Sequence, residues 1–463
     1  MDLDGRAGST AVGGASGASG AGGLAASAGS GGAGGCGGGR HMFETRAVHA
    51  GRDDLAALGT HAVPIDLSTT YPLPDLPAAA LALDAYAEGE LPDGSPIYGR
   101  LTNPTVRRFE TALAELEGCA DAVAFASGMA AVTACLLAAA ARGRRHVVAV
   151  RPLYGTTDHL LTSGLLGTEV TWVDPDGVAG ALRPDTGLVM VETPANPTLA
   201  ELDLAELAAR AGDVPLLVDN TFATPVLQQP ARSGARMVLH SATKFLGGHG
   251  DVMGGVVACD RETAQVLRQI RFATGALLHP LAGYLLLRGL ATLPIRVAKA
   301  SASAATLAGR LAAHPAVERV RYPSIGGALV AFEPTGDPME LVGALRLITP
   351  AVSLGGTDTL IQHPASLTHR VIDDAARDEG AIGPKLLRLS VGLEHEDDLW
   401  DDLSTALEHA SGQGAGSARD VGSTQGAGAA SPAGSAVEWV EATDAQASPS
   451  VVTLRQEQPA AHV

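Results

Sequence analysis

Pro215-Leu216-Leu217-Val218-Asp219-Asn220-Thr221 and, a little further on, Met237-Val238-Leu239-His240-Ser241-Ala242-Thr243-Lys244-Phe245-Leu246-Gly247-Gly248-His249-Gly250-Asp251 decide how this chain is built. Each segment opens with a short apolar run that does not alternate with polar residues. Each run then stops abruptly in side chains that can do chemistry. A strand buried on both faces reads this way, and such strands belong to parallel sheets covered by helices. Similar runs occur at Ala122–Ala126, His146–Val150, Glu169–Val173, Leu188–Glu192 and Gly255–Ala258, with amphipathic stretches such as Thr105–Glu117 and Leu202–Ala211 between them. The alternation predicts an α/β large domain with a mostly parallel sheet. Ligands on such sheets sit beyond the carboxyl ends of the strands, where Asp219 and Ser241–Lys244 fall.

From about Arg296 the pattern changes. Helical Ala/Leu/Arg stretches and weaker strand runs at Ala328–Phe332 and Leu386–Val391 predict a smaller C-terminal α+β domain, over 296–410. Residues 1–41 and 411–463 are rich in Gly, Ala and Ser, and cannot bury enough surface to offset their ordering entropy, so they are expected to be disordered tails.

The chain carries a net charge of −18, of which −15 lies on the part expected to fold. No Lys/Arg-rich stripe interrupts it, which argues against nucleic acid or an anionic membrane as partner. Cys36, Cys119, Cys135 and Cys259 show no CxxC spacing. That argues against a disulfide framework and a metal site, and fits a reducing cytoplasm. The longest apolar run, Ala130–Ala141, is too short and alanine-rich to span a bilayer.

Only three of the 32 basic residues are lysine: Lys244, Lys299 and Lys385. Arginine carries charge as well as lysine does, but it stays protonated and cannot attack a carbonyl. A primary amine can form a Schiff base. A chain that prefers arginine, yet keeps a lysine between hydroxyls and glycines, points to a covalent role for Lys244.

An aldehyde cofactor bearing a phosphate and a pyridine ring would need further groups, and the chain has candidates for each. Ser127-Gly128-Met129 follows a strand and opens a helix, offering backbone N–H groups to a phosphate. Ser241 and Thr243 add hydroxyls. Asp219 ends its strand where it could hold a ring nitrogen protonated; such an ion pair near 4 Å is worth about 4 kcal/mol at an effective dielectric of 20. Tyr154 could stack on the ring, and Arg388 could hold a substrate carboxylate with its planar fork. Taken singly, each has a plainer reading as a strand–helix turn, a cap, a core aromatic or a surface ion pair. The S-x-x-K spacing of Ser241–Lys244 also suits a serine hydrolase, but the chain contains no K-T-G or S-D-N element.

Taken together, the motifs resemble those of the Cys/Met-metabolism family of pyridoxal-phosphate (PLP) enzymes, which includes cystathionine γ-synthase, cystathionine γ- and β-lyases, methionine γ-lyase and O-acetylhomoserine sulfhydrylase. The resemblance runs from Thr45 to Leu407. It includes Tyr98-Gly99-Arg100-Leu101-Thr102-Asn103-Pro104-Thr105, Ser127-Gly128-Met129, Glu192-Thr193-Pro194-Ala195-Asn196-Pro197, Val218-Asp219-Asn220-Thr221, Ser241–Asp251 and Arg388–Glu394. It implies a fold-type I, aspartate aminotransferase-like large domain (101–295), preceded by an arm (42–100) that contributes to a neighbouring active site. It further implies homodimers with shared sites, pairing into homotetramers. Lys244 would be the Schiff-base lysine and proton shuttle, Asp219 the partner of the ring nitrogen, and Tyr154 the stacking ring. Gly128, Met129, Ser241 and Thr243 would bind phosphate, with Thr221 also on the cofactor. Asn196 would lie near the ring hydroxyl and the substrate carboxylate, and Ser353 and Arg388 would hold that carboxylate. Tyr98 and Arg100 would reach the phosphate of the neighbouring subunit's cofactor.

The far end of the substrate pocket separates the family's reactions. Cystathionine presents a second zwitterion there; methionine presents only a methyl. Similar cystathionine γ-lyases commonly carry glutamates where this chain has Ile97 and Val352. Without them a distal ammonium would go uncompensated. The expected activity is therefore γ-elimination from methionine or cystathionine, with cystathionine γ-synthase-type replacement on an O-acylhomoserine as the alternative and a non-catalytic PLP-binding protein as a remote one. Thr156 departs from methionine γ-lyases, which usually have cysteine there. The short link Tyr322–Gly327 lacks more than ten residues that relatives carry.

Overall fold

The computed structural model describes residues 41–412; the expected tails lie outside the described residues except at their inner edges. Seven strands form the larger sheet: β1 (Asp121–Phe125), β2 (His146–Val150), β3 (Glu169–Val173), β4 (Thr186–Glu192), β5 (Leu216–Asp219), β6 (Met237–His240) and β7 (Gly255–Cys259). Their order is β1-β7-β6-β5-β4-β2-β3. Strands β2 to β6 pair in parallel. Only β7 runs against its two neighbours, so β1 again points the same way as the rest. The carboxyl ends of β1, β2, β4, β5 and β6 thus share one edge.

The apolar runs lack alternation because both faces of this sheet are covered. Val123, Phe125, Leu188, Met190 and Leu217 pack on one face with the helix Gly128–Ala141. Val148, Val189, Val191 and Val218 pack on the other with the helix Leu204–Ala211. Only β3, at the edge, is partly exposed.

A second sheet holds β8 (Val317–Arg321), β9 (Leu329–Pro334), β10 (Thr349–Pro350), β11 (Leu360–Gln362) and β12 (Leu387–Ser390), in the order β10-β11-β12-β9-β8. Strands β9 and β12 coincide with the two expected runs. The others are not legible in sequence. β8 is a half-exposed edge strand whose Val-Glu-Arg-Val-Arg reads as polar, while β10 and β11 have two and three residues. The helix Leu293–Ala313 begins just before the expected change at Arg296 and is shared. Leu293, Val297 and Ala300 join a core with Val238 and Val256 of the large sheet, and Ala304, Leu307 and Leu311 join the core of the small one.

Ahead of β1, the arm packs onto the helix Arg261–Thr274. Arg268 Nε donates to the Gly89 carbonyl at 2.5 Å and Arg100 Nη1 to that of Phe272 at 3.1 Å. Much of the arm's apolar surface stays open in the single chain, Leu67, Leu76 and Leu81 among it. Among the described residues no single helix is long and apolar enough to cross a membrane, and no group of His, Cys, Asp or Glu is arranged to hold a metal ion.

Candidate active site

The shared edge of the large sheet faces the second sheet across one cavity. Its floor begins after β1. Ser127 caps the helix Gly128–Ala141, its Oγ accepting from Ala130 N at 3.1 Å. The amides of Gly128 and Met129 precede any helical carbonyl that could receive them, so this helix start suits an anion. A Cβ on Gly128 would lie 3.0 Å from that of Ser241. Glycine here is what lets the helix start and the lysine loop close on one another. Thr221 Oγ1 accepts from Ser241 N at 2.8 Å, and Thr243 Oγ1 both accepts from Gly254 N at 3.0 Å and donates to Gly254 O at 3.2 Å. The loop that carries Lys244 is therefore held on both sides.

Lys244 Nζ donates to Ser353 Oγ at 2.8 Å. Burial brings the amine down to about 8, with the Arg388 charge adding to the effect, so an appreciable fraction is neutral and nucleophilic near neutral pH. Ser353 can come this close because Gly355, at φ +76°, crosses Phe245 N at a distance where a Cβ would clash.

Asp219 lies at the end of β5 and is 9 % exposed. Burial raises its pKa; two donors from Thr221, N at 3.0 Å and Oγ1 at 2.5 Å, and the neighbouring His240 oppose the rise. Such a carboxylate is costly until a cation is brought to it. Beside it, Glu192 ends β4 and accepts from the amides of Tyr154 and Asn196. Burial, then the adjacent Asp219, push Glu192 well up.

From the second sheet, Arg388 enters the cavity fully buried. Nη1 donates to Asn196 Oδ1 at 2.5 Å and Nη2 to the Ser353 carbonyl at 3.0 Å, with Phe222 under the guanidinium at 5.5 Å. Gln362 is its register partner on β11. With its amide oxygen turned to the guanidinium, Gln362 accepts from Nη2 at 3.0 Å. Burial lowers Arg388 to about 10, against the pull of Glu192 and Tyr154, so it remains a cation. Its Nε has no partner among the described residues. A buried guanidinium held mainly by neutral acceptors is ready for a carboxylate.

Gly128, Met129, Tyr154, Asn196, Asp219, Thr221, Ser241, Thr243, Lys244, Val352, Ser353 and Arg388 all line this cavity. Ile97, Tyr98 and Arg100 do not line it. Arg100 stacks over Phe272 at 4.7 Å and Tyr98 at 5.6 Å, on the arm. Glu192 falls in a motif of the family resemblance, but neither it nor Gln362 was given a role from sequence. For Glu192 the signal was present: an acid ends a buried apolar run, as Asp219 does. For Gln362 the signal was absent, because its strand is three residues long.

Residues 44–408 match the family model for Cys/Met metabolism PLP-dependent enzymes. The chain is 71 % identical over 365 residues to the L-methionine gamma-lyase of Streptomyces avermitilis, covering 79 % of this chain and 88 % of that one. It is 55 % identical over 385 residues to the L-methionine gamma-lyase of Brevibacterium sandarakinum, covering 79 % and 97 %. Its structure is similar to that of a Micromonospora echinospora enzyme, described in one crystal structure as a cystathionine gamma-lyase (TM-score 0.72, 39 % identity, 79 % and 99 % covered) and in another as a methionine gamma-lyase (TM-score 0.69, 38 % identity, 79 % and 99 % covered). It is also similar to a Xanthomonas oryzae pv. oryzae cystathionine gamma-synthase (TM-score 0.73, 34 % identity, 81 % and 99 % covered). The chain belongs to the Cys/Met metabolism family of pyridoxal-phosphate-dependent enzymes and has that family's fold-type I architecture.

Proposed function

We propose that the protein is a carbon–sulfur lyase that uses pyridoxal phosphate for γ-elimination from L-methionine: methionine and water give 2-oxobutanoate, ammonia and methanethiol. The observation that carries methionine over cystathionine is the character of the cavity. Among the described residues the only acids lining it are Glu192 and Asp219, both at the strand ends. Its exposed rim includes Val352 and Met253, with Leu354 buried in the wall beside them, and this apolar group offers no carboxylate for a second ammonium but suits a thioether methyl. The names of the Streptomyces avermitilis and Brevibacterium sandarakinum relatives agree with this reading.

The residues present fit the cofactor. Gly128 and Met129 amides with the Ser241 and Thr243 hydroxyls would hold the phosphate, Asp219 the ring nitrogen, and Tyr154 one face of the ring. When bound, pyridoxal phosphate supplies an electron sink that makes the substrate's Cα–H and Cβ–H acidic. Arg388, with Ser353, would seat the substrate carboxylate, orienting Cα toward Lys244. The amine of Lys244, held at about 8, is near the ideal for taking a proton and returning it. Ser353 Oγ steadies that amine between transfers. Substrate enters a cavity walled by both sheets, which limits water near the reacting carbons.

Measuring 2-oxobutanoate release from methionine, cystathionine and homocysteine tests the substrate. Methionine should be turned over best; a large preference for cystathionine would refute the rim reading. Val352→Glu should raise cystathionine cleavage relative to methionine. Val352 is 58 % exposed in the single chain, so solvent screens the new carboxylate and the switch is expected to be about tenfold, toward the low end of what a pocket contact can discriminate. An unchanged ratio would mean that the distal end of the substrate lies elsewhere.

Ile97, Tyr98 and Arg100 are proposed to complete the cavity of a second copy of the chain, Arg100 at the phosphate and Ile97 at the apolar rim. Lys244→Ala and Arg100→Ala homodimers should then both be weak. Once their subunits exchange at random, half the dimers are mixed and each has one intact site, so activity should return to about a quarter of wild type. Exchange verified by differential tags without recovery would place Arg100 outside the neighbouring site.

A further inference from the structure

Glu192 occupies a position that the roles above leave unexplained. It and Asp219 are register partners on parallel neighbouring strands. Partners in such a ladder face the same side, so the two acids enter the cavity side by side. Glu192 is only 4 % exposed. A second buried carboxyl beside one meant for a ring cation adds repulsion, so it needs a compensating use. Its hydrogen bonds supply one. Oε2 accepts from Tyr154 N at 2.7 Å and Oε1 from Asn196 N at 2.9 Å.

These two amides belong to separate loops. Tyr154 follows β2 and begins the helix Gly155–Thr162 with no side-chain cap of its own. Asn196 lies beyond β4 and holds Arg388 through its side chain. One carboxylate therefore spans two strands and ties together the aromatic residue and the amide–guanidinium pair. Each of the two carboxyl oxygens of Glu192 accepts one N–H, so it can take both at once; a glutamine of the same size has one oxygen, and its NH₂ would face an N–H.

We propose that Glu192 is the positioning residue of this cavity, fixing Tyr154 and Asn196 together through their backbone amides and so coupling the seating of the cofactor ring to that of the substrate carboxylate. The inference rests on the pyridoxal-phosphate reading of the cavity. It assigns Glu192 no contact with a reacting atom.

The test compares wild type, Glu192→Gln and Glu192→Asp, each purified with pyridoxal phosphate. Readouts are the visible circular dichroism of the bound cofactor, kcat and KM for methionine, and melting temperature. Glu192→Gln should lose at least about half of the dichroic band as the Tyr154 ring loses its fixed pose. Its KM should rise about tenfold, the effect of losing one buried hydrogen bond that holds the Asn196–Arg388 pair. Glu192→Asp keeps both acceptor oxygens but not the reach, and should be impaired in both readouts as well. A wild-type band and KM in either variant, with or without a lower melting temperature, would overturn the proposal. Should Glu192→Gln fail to fold, amide exchange in wild type decides. The Tyr154 and Asn196 amides should exchange at least about a hundredfold more slowly than free amides, and rapid exchange at either refutes the clamp. A wild type with no visible band would instead refute the cofactor reading, separately from any effect of Glu192.

Discussion

Replacing Lys244 with arginine is expected to keep the charge and remove about 10²–10⁴-fold of the turnover, the range that a positioned proton-transfer group contributes. Arginine cannot be neutral at any working pH, so it can neither bind the aldehyde covalently nor accept a proton from carbon. Borohydride reduction of wild type should attach the cofactor to Lys244, as located by peptide mapping. Label on Lys299 or Lys385 would remove the foundation of the site. Lys299 holds Glu396 at 2.8 Å, and Lys385 donates to the Thr335 carbonyl at 3.0 Å; neither lies in the cavity. The pH dependence has a defined sign. Attack on the aldehyde needs the neutral amine, and Lys244 sits at about 8 because burial disfavours its charged form. The rate at which cofactor-free protein takes up pyridoxal phosphate should therefore rise with pH and level off above about 8. A rise continuing toward the usual lysine range would show that the amine is not buried as described.

Asp219→Asn is the second large effect. In wild type, burial makes the Asp219 carboxylate costly while Thr221 and His240 hold it ready. A protonated ring nitrogen would give it the missing cation. With about 4 kcal/mol for such a pair, asparagine should lower kcat by about 10³-fold, with a smaller change in cofactor retention because the phosphate cradle and Lys244 remain. A cofactor analogue with higher ring basicity should recover part of the loss. A variant within about threefold of wild type would show that Asp219 does not govern the charge on the ring.

The sequence alone determined the large sheet and most of the cavity. Strands buried on both faces must be apolar throughout, so their ends stand out, and the cavity-lining Asp219 and Lys244 sit at or just beyond those ends. Lysine in a chain that otherwise uses arginine marked the position proposed to bind covalently, because only the amine has that chemistry. Local signals of this kind do not depend on what the segment packs against. The second sheet was only half legible. β10 and β11 are too short to show a period, and β8 is an edge strand whose outward face is polar; their strand character comes from pairing, β8 with β9, β11 with β12 and β10 with β11.

Tertiary structure alone decided which groups meet. Ser353 reaches Lys244 from 109 positions away in the chain, and Asn196 reaches Arg388 from 192. No spacing encodes such contacts. The register between β4 and β5 puts Glu192 beside Asp219, and that between β11 and β12 puts Gln362 beside Arg388. The chain folded alone also leaves Tyr98 and Arg100 outside the cavity, since the arm carrying them is docked on the helix Arg261–Thr274. Hydrophobic periodicity records only whether a residue is buried; which neighbour it is buried against is settled when strands pair and sheets close on one another.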